Sequence, residues 1–485
     1  MKLTSAQLDR AVGVLVASAV GDALGAGYEF APILEGLVPE MIGGGLGDFA
    51  PGEWTDDTAQ AMAIAIVAAD SLDLRTPEAL DRIAQGFADW YAGGPADVGV
   101  QTAEVLRLAG SAPTGAAMAR AARRVHDRRG RSAGNGSLMR TGPVVLAHLD
   151  DPAALVEAAM AVSALTHHEA VAQEACAVWC LMIRHAVLTG TLPTWHDIES
   201  LSPNPTYWSE ILTQAETQPP SAFTHNAWAV GALQAAWSAI THTPAPETDP
   251  CGHLVDALGA AVRIGHDTDT VAAIAGALLG ARWGASAVPA RWRRVIHGWP
   301  GATARGLEKV GHLAATRGEP GHHGWPLVDH IDYADWQGAT PAVTRHPHDA
   351  GVWLSSATAL DDLPMGVDAV VSLCLVGRRQ VPDGIEQVGF RLIDVTDPAS
   401  NPHLDFVIRD AAETVAALRA EGKTVLVHCV AAQSRTPTVG VAYAMLLGIE
   451  FDRALAEVCG ALPYARPNRA FTAALKRLAD RGIHA

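Results

Sequence analysis

Apolar segments of helical length fill the first two thirds of the chain. From residue 1 to about 315, runs rich in Ala and Leu recur, and Gly and Pro mark the breaks between them. Many runs are apolar on several faces, which indicates helices packed closely inside a large domain. The pattern predicts helices at residues 59–69, 153–164, 170–188, 227–240 and 271–283. We therefore expect an all-α domain over residues 1–315.

The pattern changes in the last third of the chain. Residues 316–348 are rich in His, Pro and Gly without sustained periodicity, so this segment is predicted to be a linker. After it, short apolar runs alternate with longer helical ones, which favours a small α/β domain over residues 349–485 with a mainly parallel sheet. The predicted strands are residues 367–375, 388–393 and 424–428, and the predicted helices are residues 405–421 and 434–447.

Composition excludes several classes of protein. A chain of 485 residues is too long for one core, and a hydrophobic fraction of 49% is typical of globular domains. The net charge of -17 argues against a nucleic-acid surface, and the arginines between residues 120 and 131 are expected on a solvated helix face. Six cysteines without disulfide or zinc spacing favour a reducing cytoplasm. No apolar run has the length of a membrane span, so no membrane partner is expected.

Two acidic motifs each precede an apolar run, Thr55-Asp56-Asp57-Thr58 and Asp267-Thr268-Asp269-Thr270. Carboxylates with interleaved hydroxyls are the oxygen ligands that hard divalent cations prefer. Asp and Thr also cap helices, and a single motif would favour that explanation. Because two motifs share the same pattern before strongly apolar helices, the sequence favours a two-metal hydrolytic site.

A glycine-rich turn lies between these motifs, at Gly134, Asn135, Gly136 and Ser137. Exposed backbone amides in such a turn can bind a pyrophosphate. Taken alone, however, the motif favours an ordinary tight turn.

Six ordered motifs resemble the ADP-ribosylglycohydrolase family over residues 8 to 300: GDALG followed by Glu29, then WTDDT, GPADVG, GNGSLMR, THH and GHDTDT. The resemblance implies an all-α fold with two Mg²⁺ or Mn²⁺ ions at its centre. By motif, the implied metal ligands are Thr55, Asp56, Asp57, Asp267, Asp269 and Thr270.

The same resemblance implies roles for other residues. Glu29 would line the entrance to the metals, and Asp97 would be the general base, as in the arginine-specific bacterial members. His167 and the turn from Gly134 to Ser137 would contact the ribose and pyrophosphate of ADP-ribose. The expected partner is therefore an ADP-ribosylated protein or an ADP-ribose-type small molecule, with arginine favoured as the attachment residue.

A second chemical motif lies in the predicted α/β domain. Cys429 ends an apolar strand, and Arg435 follows after five residues, where a helix is predicted to begin. A thiolate at a helix N-terminus has a lowered pKa, and the adjacent amides and an arginine bind phosphate oxygens. The motif therefore predicts a phosphorylated substrate and a covalent intermediate on the cysteine.

This motif resembles the cysteine-dependent dual-specificity and tyrosine phosphatases over residues 350 to 480. The resemblance implies Asp397 as the acid, with Asp394 in reserve, and a phosphate loop that Ser434 lines and Asn468 supports. Ala432 stands where these phosphatases usually have Gly, which leaves a phosphate-binding protein without phosphatase activity as an alternative.

The sequence as a whole predicts a bifunctional hydrolase that removes ADP-ribose and cleaves a phosphomonoester. Two alternatives remain open at this stage. One is an ADP-ribose-binding or structural protein with the same helical fold, and the other is a phosphatase whose first domain serves in targeting.

Overall fold

The chain divides into two compact units in the computed structural model, which describes residues 1–33, 36–333 and 341–483. Unit 1 comprises Met1–Val288 with Trp292–Glu319, and unit 2 comprises Pro289–Arg291 with Pro320–Ala485. The sequence predicts a linker over residues 316–348, but the strand Val343–His346 lies inside that segment and belongs to unit 2.

Helices dominate the chain up to residue 315. They are α1 Ser5–Gly25, α2 Asp56–Ala69, α3 Pro77–Ala92, α4 Val100–Ala109, α5 Gly115–Arg129, α6 Gly142–Ala147, α7 Pro152–Ala164, α8 Ala170–Thr189, α9 Trp195–Ile198, α10 Pro205–Thr217, α11 Ala229–His242, α12 His253–Arg263, α13 Thr268–Trp283, α14 Ala290–Arg293 and α15 Ala304–Ala315. Beside them, the antiparallel strands β1 His297–Gly298 and β2 Ala302–Thr303 form a short hairpin. The prediction of an all-α domain therefore missed only this hairpin among the described residues.

Small residues allow α1 and α13 to pack against each other at backbone distance. A methyl group added to Gly13, Gly21 or Gly276 would lie within 3.0 Å of backbone atoms of the opposite helix. Gly13 faces Gly280, Ala17 faces Gly276 and Gly21 faces Ala272, so the two helices run antiparallel. Side chains larger than Ala at these positions would force the helices apart.

The same contact continues to the N-terminus of α13. A methyl group on Gly25 would lie within 3.0 Å of the backbone of Thr268 and Asp269. The Thr268 hydroxyl donates a 2.8 Å hydrogen bond to the Gly25 carbonyl. The end of α1 is thereby held against the residues that open α13.

Among the residues that the structure describes, two helical segments have the length and composition to cross a membrane, whereas the sequence pattern predicts none. They are the segments Ser5–Tyr28 and Ala170–Thr189, and 89% and 67% of their most apolar windows are buried inside the protein. Core helices of this kind meet the same criteria as membrane spans.

Unit 2 contains a five-stranded sheet in the order β3-β4-β7-β5-β6. Its strands are β3 Val343–His346, β4 Asp349–Ser356, β5 Ala369–Ser372, β6 Glu386–Gly389 and β7 Val425–Cys429. Only the edge strand β3 is antiparallel to its neighbour, so the mainly parallel sheet is as the sequence predicts. The remaining helices are α16 Leu404–Ala420, α17 Arg435–Leu446, α18 Phe451–Ala461 and α19 Arg469–Arg481.

The central strand β7 positions the loop between Cys429 and Arg435. Every residue of β7 is buried, and its register pairs Ser356 with Cys429 on one side and Ser372 with His428 on the other. Because the carboxyl ends of parallel strands share one edge of a sheet, the loop after Cys429 opens at that edge.

We predict that Gly276→Ala lowers the free energy of unfolding of unit 1 by about 1–3 kcal/mol, since its methyl group would collide with the backbone of Ala17. Gly460→Ala in α18 is the matched control, because no atom lies within 4 Å of the added methyl group. That change should raise the stability of unit 2 by about 0.5–1 kcal/mol. Urea unfolding of both variants measures the difference, and an unchanged Gly276→Ala midpoint would contradict the close packing.

Candidate active site

Asp22 connects the end of α1 to the beginning of α2. Its side chain is fully buried. One carboxylate oxygen accepts a 2.9 Å hydrogen bond from the Thr55 amide, and the other accepts from the amide and hydroxyl of Thr58 at 2.9 and 2.6 Å. These bonds fix the turn that carries Asp56 and Asp57.

Two groups of acidic side chains converge at this point. The first contains Asp22, Asp57 and Asp269, and the second contains Glu29, Asp267 and Asp269. Within each group, one carboxylate oxygen per residue lies within 4.8 Å of the others, and Asp269 belongs to both. The structure therefore brings together acidic residues from both sequence motifs and from the end of α1.

The threonines of the two motifs point into the same cluster. The hydroxyls of Thr55 and Thr270 donate to one oxygen of Asp57 at 3.2 and 3.4 Å. The other oxygen of Asp57 is buried and has no hydrogen-bond partner. A buried carboxylate oxygen without a donor is costly unless a cation or a proton occupies it.

Helix capping explains the first motif only in part and the second not at all. Thr55 caps α2 by accepting a 3.5 Å hydrogen bond from the Asp57 amide. Asp267 precedes α13, but its side chain makes no capping bond. Instead it accepts a 2.8 Å hydrogen bond from the side-chain Nδ2 of Asn135. The carboxylates of both motifs are therefore available to the cluster.

Burial and mutual repulsion raise the pKa values of the carboxyl groups in and beside the cluster. Burial and the charges of Asp267 and Asp97 raise the pKa of Glu29 to about 8. Burial and the charge of Asp97 raise the pKa of the partly buried Asp56 to about 7. The pKa values of Asp57 and Asp269 lie well above the usual value, mainly because both are buried. Such a cluster has a strong electrostatic preference for cations.

Asp97 belongs to the edge of the same cluster. Its side chain is partly buried, and its charge acts on Glu29, Asp56 and Asp267. The backbone N–H of Gly99, in the same GPADVG segment, donates a hydrogen bond to Asp56. The segment therefore places a carboxylate beside the acidic cluster.

The predicted substrate-binding turn divides into two parts. Asn135 bonds to Asp267, and Gly134 and Gly136 lie over the ring of His167, where an added methyl group would be 3.5 and 3.4 Å from ring atoms. Ser137 instead points into the core, where its hydroxyl accepts a 2.9 Å hydrogen bond from Ser163.

Sequence reasoning assigned no role to Asp22, Asn226 or Arg140. Asp22 lies in the GDALG motif that closes α1, and Arg140 ends the GNGSLMR motif. Asn226 has no motif of its own, yet it supports the Asp267 amide and accepts from Asn135 through its backbone carbonyl. Asp22 is an acidic residue near the end of an apolar helix, and this contrast is the sequence feature that could have indicated a functional role.

In unit 2, the loop between Cys429 and Arg435 is held from several sides. Cys429 is buried, and Ala432 adopts a φ of 53°, a left-handed conformation that favours Gly. The Arg435 Nη1 donates to the carbonyls of Leu373 and Leu392 at 2.8 and 3.3 Å, whereas its buried Nε has no hydrogen-bond partner. One edge of the guanidinium is therefore available to a ligand.

Asp394 supports this loop directly. One of its oxygens accepts hydrogen bonds from the Ser434 hydroxyl and the Asn468 side chain at 2.8 and 2.9 Å, and the other lies 3.8 Å from Arg435. Asp397, the predicted acid, is exposed and accepts from Ala399 and Ser400. The structure thus brings Ser434, Asn468 and Arg435 together around Asp394.

Comparison with known proteins finds similar sequences and similar solved structures. The ADP-ribosylarginine hydrolase Tri1 of Pseudomonas putida (strain GB-1) is 30% identical to this chain over 298 residues, which are 59% of this chain and 73% of that protein. A structure described as an ADP-ribosylglycohydrolase-related protein complex is 27% identical, covers 65% of this chain and 100% of its own, and has a TM-score of 0.50. Human DUSP28 is 26% identical over 30% of this chain and 97% of its own, but its TM-score of 0.27 is too low to assign a fold.

A family model gives the clearest result. The model for ADP-ribosylglycohydrolase matches residues 3–321, which are more than half of the chain and contain the whole acidic cluster. The chain therefore belongs to the ADP-ribosylglycohydrolase family.

Proposed function

We propose that unit 1 hydrolyses the N-glycosidic bond between ADP-ribose and an arginine side chain, with two divalent cations bound at the acidic cluster. The observation that carries the proposal is the convergence of Glu29, Asp57, Asp267 and Asp269 around the end of α1. The Tri1 relative is named as an ADP-ribosylarginine hydrolase, which supports arginine as the attachment residue.

The residues of the cluster fit hard divalent cations such as Mg²⁺ or Mn²⁺. All the donors are oxygens, the Asp57 oxygen without a partner is buried, and Asp269 is shared by two acidic groups, which suits two neighbouring ions. The residues proposed to hold them are Thr55, Asp56, Asp57, Asp267, Asp269 and Thr270, with Glu29 at the entrance. Bound ions would polarise the ribose hydroxyls and offset the negative charge of the pyrophosphate.

Asp97 is the proposed general base of the reaction. Water adds across the glycosidic bond, so that its oxygen joins the anomeric carbon of the ribose while the bond from that carbon to the guanidine nitrogen breaks. Asp97 would take one proton from the attacking water, and the released guanidine gains a proton and leaves as a cation. A carboxylate close to the cluster can perform this transfer, and the charge of Asp97 acts on Glu29 and Asp267 of the cluster and on the neighbouring Asp56.

Asp97→Asn should therefore slow hydrolysis of ADP-ribosyl-arginine by roughly 100- to 10,000-fold, because an amide cannot accept the proton. Its affinity for Mn²⁺, measured by calorimetry, should stay close to that of the wild type. Glu78→Gln removes one exposed charge from the first turn of α3 and should leave both values unchanged.

The same assay with EDTA, and with serine-linked ADP-ribose as a second substrate, tests the proposal as a whole. Wild-type activity on the arginine substrate should disappear with EDTA and return with Mn²⁺. Full activity of the metal-free protein, or no activity on the arginine substrate at all, would contradict the proposed function.

A further prediction concerns the stability of the metal-free protein. The pKa of Asp56 is raised from 3.8 to about 7 and that of Glu29 from 4.5 to about 8, so the folded state holds more protons than the unfolded state between these values. The free energy of unfolding should therefore fall as the pH rises from about 4 to about 8. Asp57→Asn removes a carboxyl group whose pKa is raised by burial and by the charge of Asp22, so fewer protons are taken up on folding and the slope should be smaller. Thermal unfolding at several pH values measures it.

Asp73→Asn provides the control for that prediction. Hydrogen bonds from Arg75 lower the pKa of Asp73 to about 2, so its stabilising contribution is lost only as the pH falls below about 4. This variant should keep the wild-type slope between pH 4 and 8. Equal slopes in wild type and Asp57→Asn would argue against repulsion within the acidic cluster.

We also propose that unit 2 cleaves a phosphomonoester at Cys429. The supporting observation is the arrangement of Arg435, which uses Nη1 to bond the carbonyls of Leu373 and Leu392, while its Nε makes no hydrogen bond and lies 3.8 Å from Asp394. The Nε edge of a guanidinium fits two phosphate oxygens. The sulfur of Cys429 would attack phosphorus, the ester P–O bond would break, and an acid would protonate the leaving oxygen before water cleaves the S–P bond.

Asp397 is the proposed acid, as the resemblance to the cysteine-dependent phosphatases implies, whereas Asp394 holds Ser434 and Asn468. We predict that Cys429→Ser abolishes phosphate release from an aryl phosphate and that Asp397→Asn slows it by roughly 100-fold or more. Asp394→Asn should instead weaken phosphate binding. Ala432→Gly should increase turnover, because it removes the strain of a left-handed Ala.

Phosphate release is measured with a phosphotyrosine peptide and with phosphorylated ADP-ribose as the two substrates. Preference for the second would connect the two proposed activities through one class of substrate. Phosphate binding without release from either would support the phosphate-binding alternative, in which unit 2 is inactive.

A further inference from the structure

Arg140 is a fully buried cation without a carboxylate partner. It follows the Gly134–Ser137 turn, its guanidinium carbon lies 4.3 Å from the centre of the Phe87 ring, and its side chain has no exposed surface. Burial lowers the pKa of Arg140 to about 10, so the group remains charged at neutral pH. Across the residues that the structure describes, no Asp or Glu forms an ion pair with it. Burial of an unpaired charge lowers the stability of the folded state unless hydrogen bonds compensate for the lost hydration. The hydrogen bonds of Arg140 therefore indicate what this residue does.

The first of these bonds goes to α2. Nη1 of Arg140 donates to the side-chain oxygen of Gln60. Because a guanidinium cannot accept hydrogen bonds, the Gln60 oxygen must face Arg140 and its amide nitrogen must face the other way. That nitrogen donates to Asp56 at 2.8 Å. The orientation of Gln60 towards the acidic cluster is thus determined by Arg140.

The second bond goes to Thr166, which precedes His167. Nη2 of Arg140 donates to the Thr166 hydroxyl oxygen at 2.6 Å, and that oxygen lies 2.8 Å from Nδ1 of His167. Arg140 occupies one lone pair of that oxygen, and Nδ1 is the acceptor within reach of the hydroxyl hydrogen, which would otherwise be buried without a partner. Burial lowers the pKa of His167 to about 3, so the ring is neutral and carries one proton. The network assigns that proton to Nε2.

Nε2 faces the glycine turn. A methyl group on Gly134 or Gly136 would lie 3.5 or 3.6 Å from it. Asn135, between these glycines, donates to Asp267 of the acidic cluster. The proton on Nε2 is therefore presented where the turn adjoins the cluster.

We propose that Arg140 is a positioning residue that holds His167 as the Nε2–H tautomer and directs the amide of Gln60 to Asp56. In this state His167 offers one fixed donor to an oxygen of the substrate at the glycine turn, a phosphate or ribose oxygen of ADP-ribose. The identity of that acceptor rests on the proposed function, whereas the tautomer and the orientation of Gln60 do not.

The test is a long-range ¹H–¹⁵N NMR correlation on the full chain labelled with ¹⁵N-histidine, which separates the two neutral tautomers. The signal of His167 among the 20 histidines is identified by its loss in His167→Gln. The wild type should show a proton on Nε2. Thr166→Val, which keeps the shape and removes the hydroxyl, should shift the ring to a mixture of tautomers, and Thr166→Ser should restore the wild-type spectrum.

Arg140→Met removes the donor that holds the Thr166 oxygen, which frees the hydroxyl to rotate away from Nδ1, and should therefore produce the same mixture. If this variant fails to fold, Thr166→Val alone decides the role of the hydroxyl. A wild-type ring protonated at Nδ1, or an Nε2–H tautomer that persists in Thr166→Val, would overturn the proposal.

Hydrolysis of ADP-ribosyl-arginine provides a second and separate measurement. Thr166→Val should reduce kcat/KM by about tenfold, because part of the protein would lack the Nε2–H donor of His167 to the substrate. Thr166→Ser should leave kcat/KM unchanged. Inactive wild-type protein with the expected tautomer would contradict the proposed function and leave the positioning role intact. Active wild-type protein with the opposite tautomer would contradict only the positioning role.

Discussion

The antiparallel contact between α1 and α13 determines where the acidic side chains of unit 1 lie. Gly13, Gly21, Gly25, Gly276 and Gly280 bring the two backbones together, and no larger side chain fits at these positions. The contact places the end of α1, with Asp22, beside the start of α13, with Asp269. Asp22 in turn holds the first turn of α2, so three helix ends meet at one point.

This arrangement has an electrostatic cost. Several carboxylates are buried together, and one oxygen of Asp57 has no hydrogen-bond donor. Burial and mutual repulsion raise their pKa values, which favours protons or cations over empty, charged oxygens. The packing of small residues thus supplies both the position of the cluster and its affinity for positive charge.

Much of the helical unit could be predicted from the sequence, because its determinants are local. The motifs at Thr55 and Asp267 precede α2 and α13 as expected, although only Thr55 caps its helix with its side chain. Asp22 could not be given its role in this way. Its partners Thr55 and Thr58 belong to another helix, and only the folded contact shows that its oxygens hold a backbone turn.

In unit 2 the same distinction holds. Periodicity predicts β7 and α17, whereas β3 lies in a segment of predicted linker because a short edge strand has little apolar pattern of its own. The resemblance to the cysteine-dependent phosphatases ranks Asp397 above Asp394, and the structure adds that Asp394 bonds to Ser434 and Asn468. The sequence shows that both aspartates precede Cys429. Only the folded structure shows that Asp394 supports the loop between Cys429 and Arg435.

The central claim is that the carboxylates gathered by α1 and α13 bind divalent cations. Crystals soaked in Mn²⁺ and measured near the manganese absorption edge test it most directly. The account predicts two neighbouring anomalous peaks, both in contact with Asp269, one towards Asp57 and the other towards Asp267. Crystals that hold Mn²⁺ elsewhere on the surface, with no anomalous density at this cluster, would contradict it.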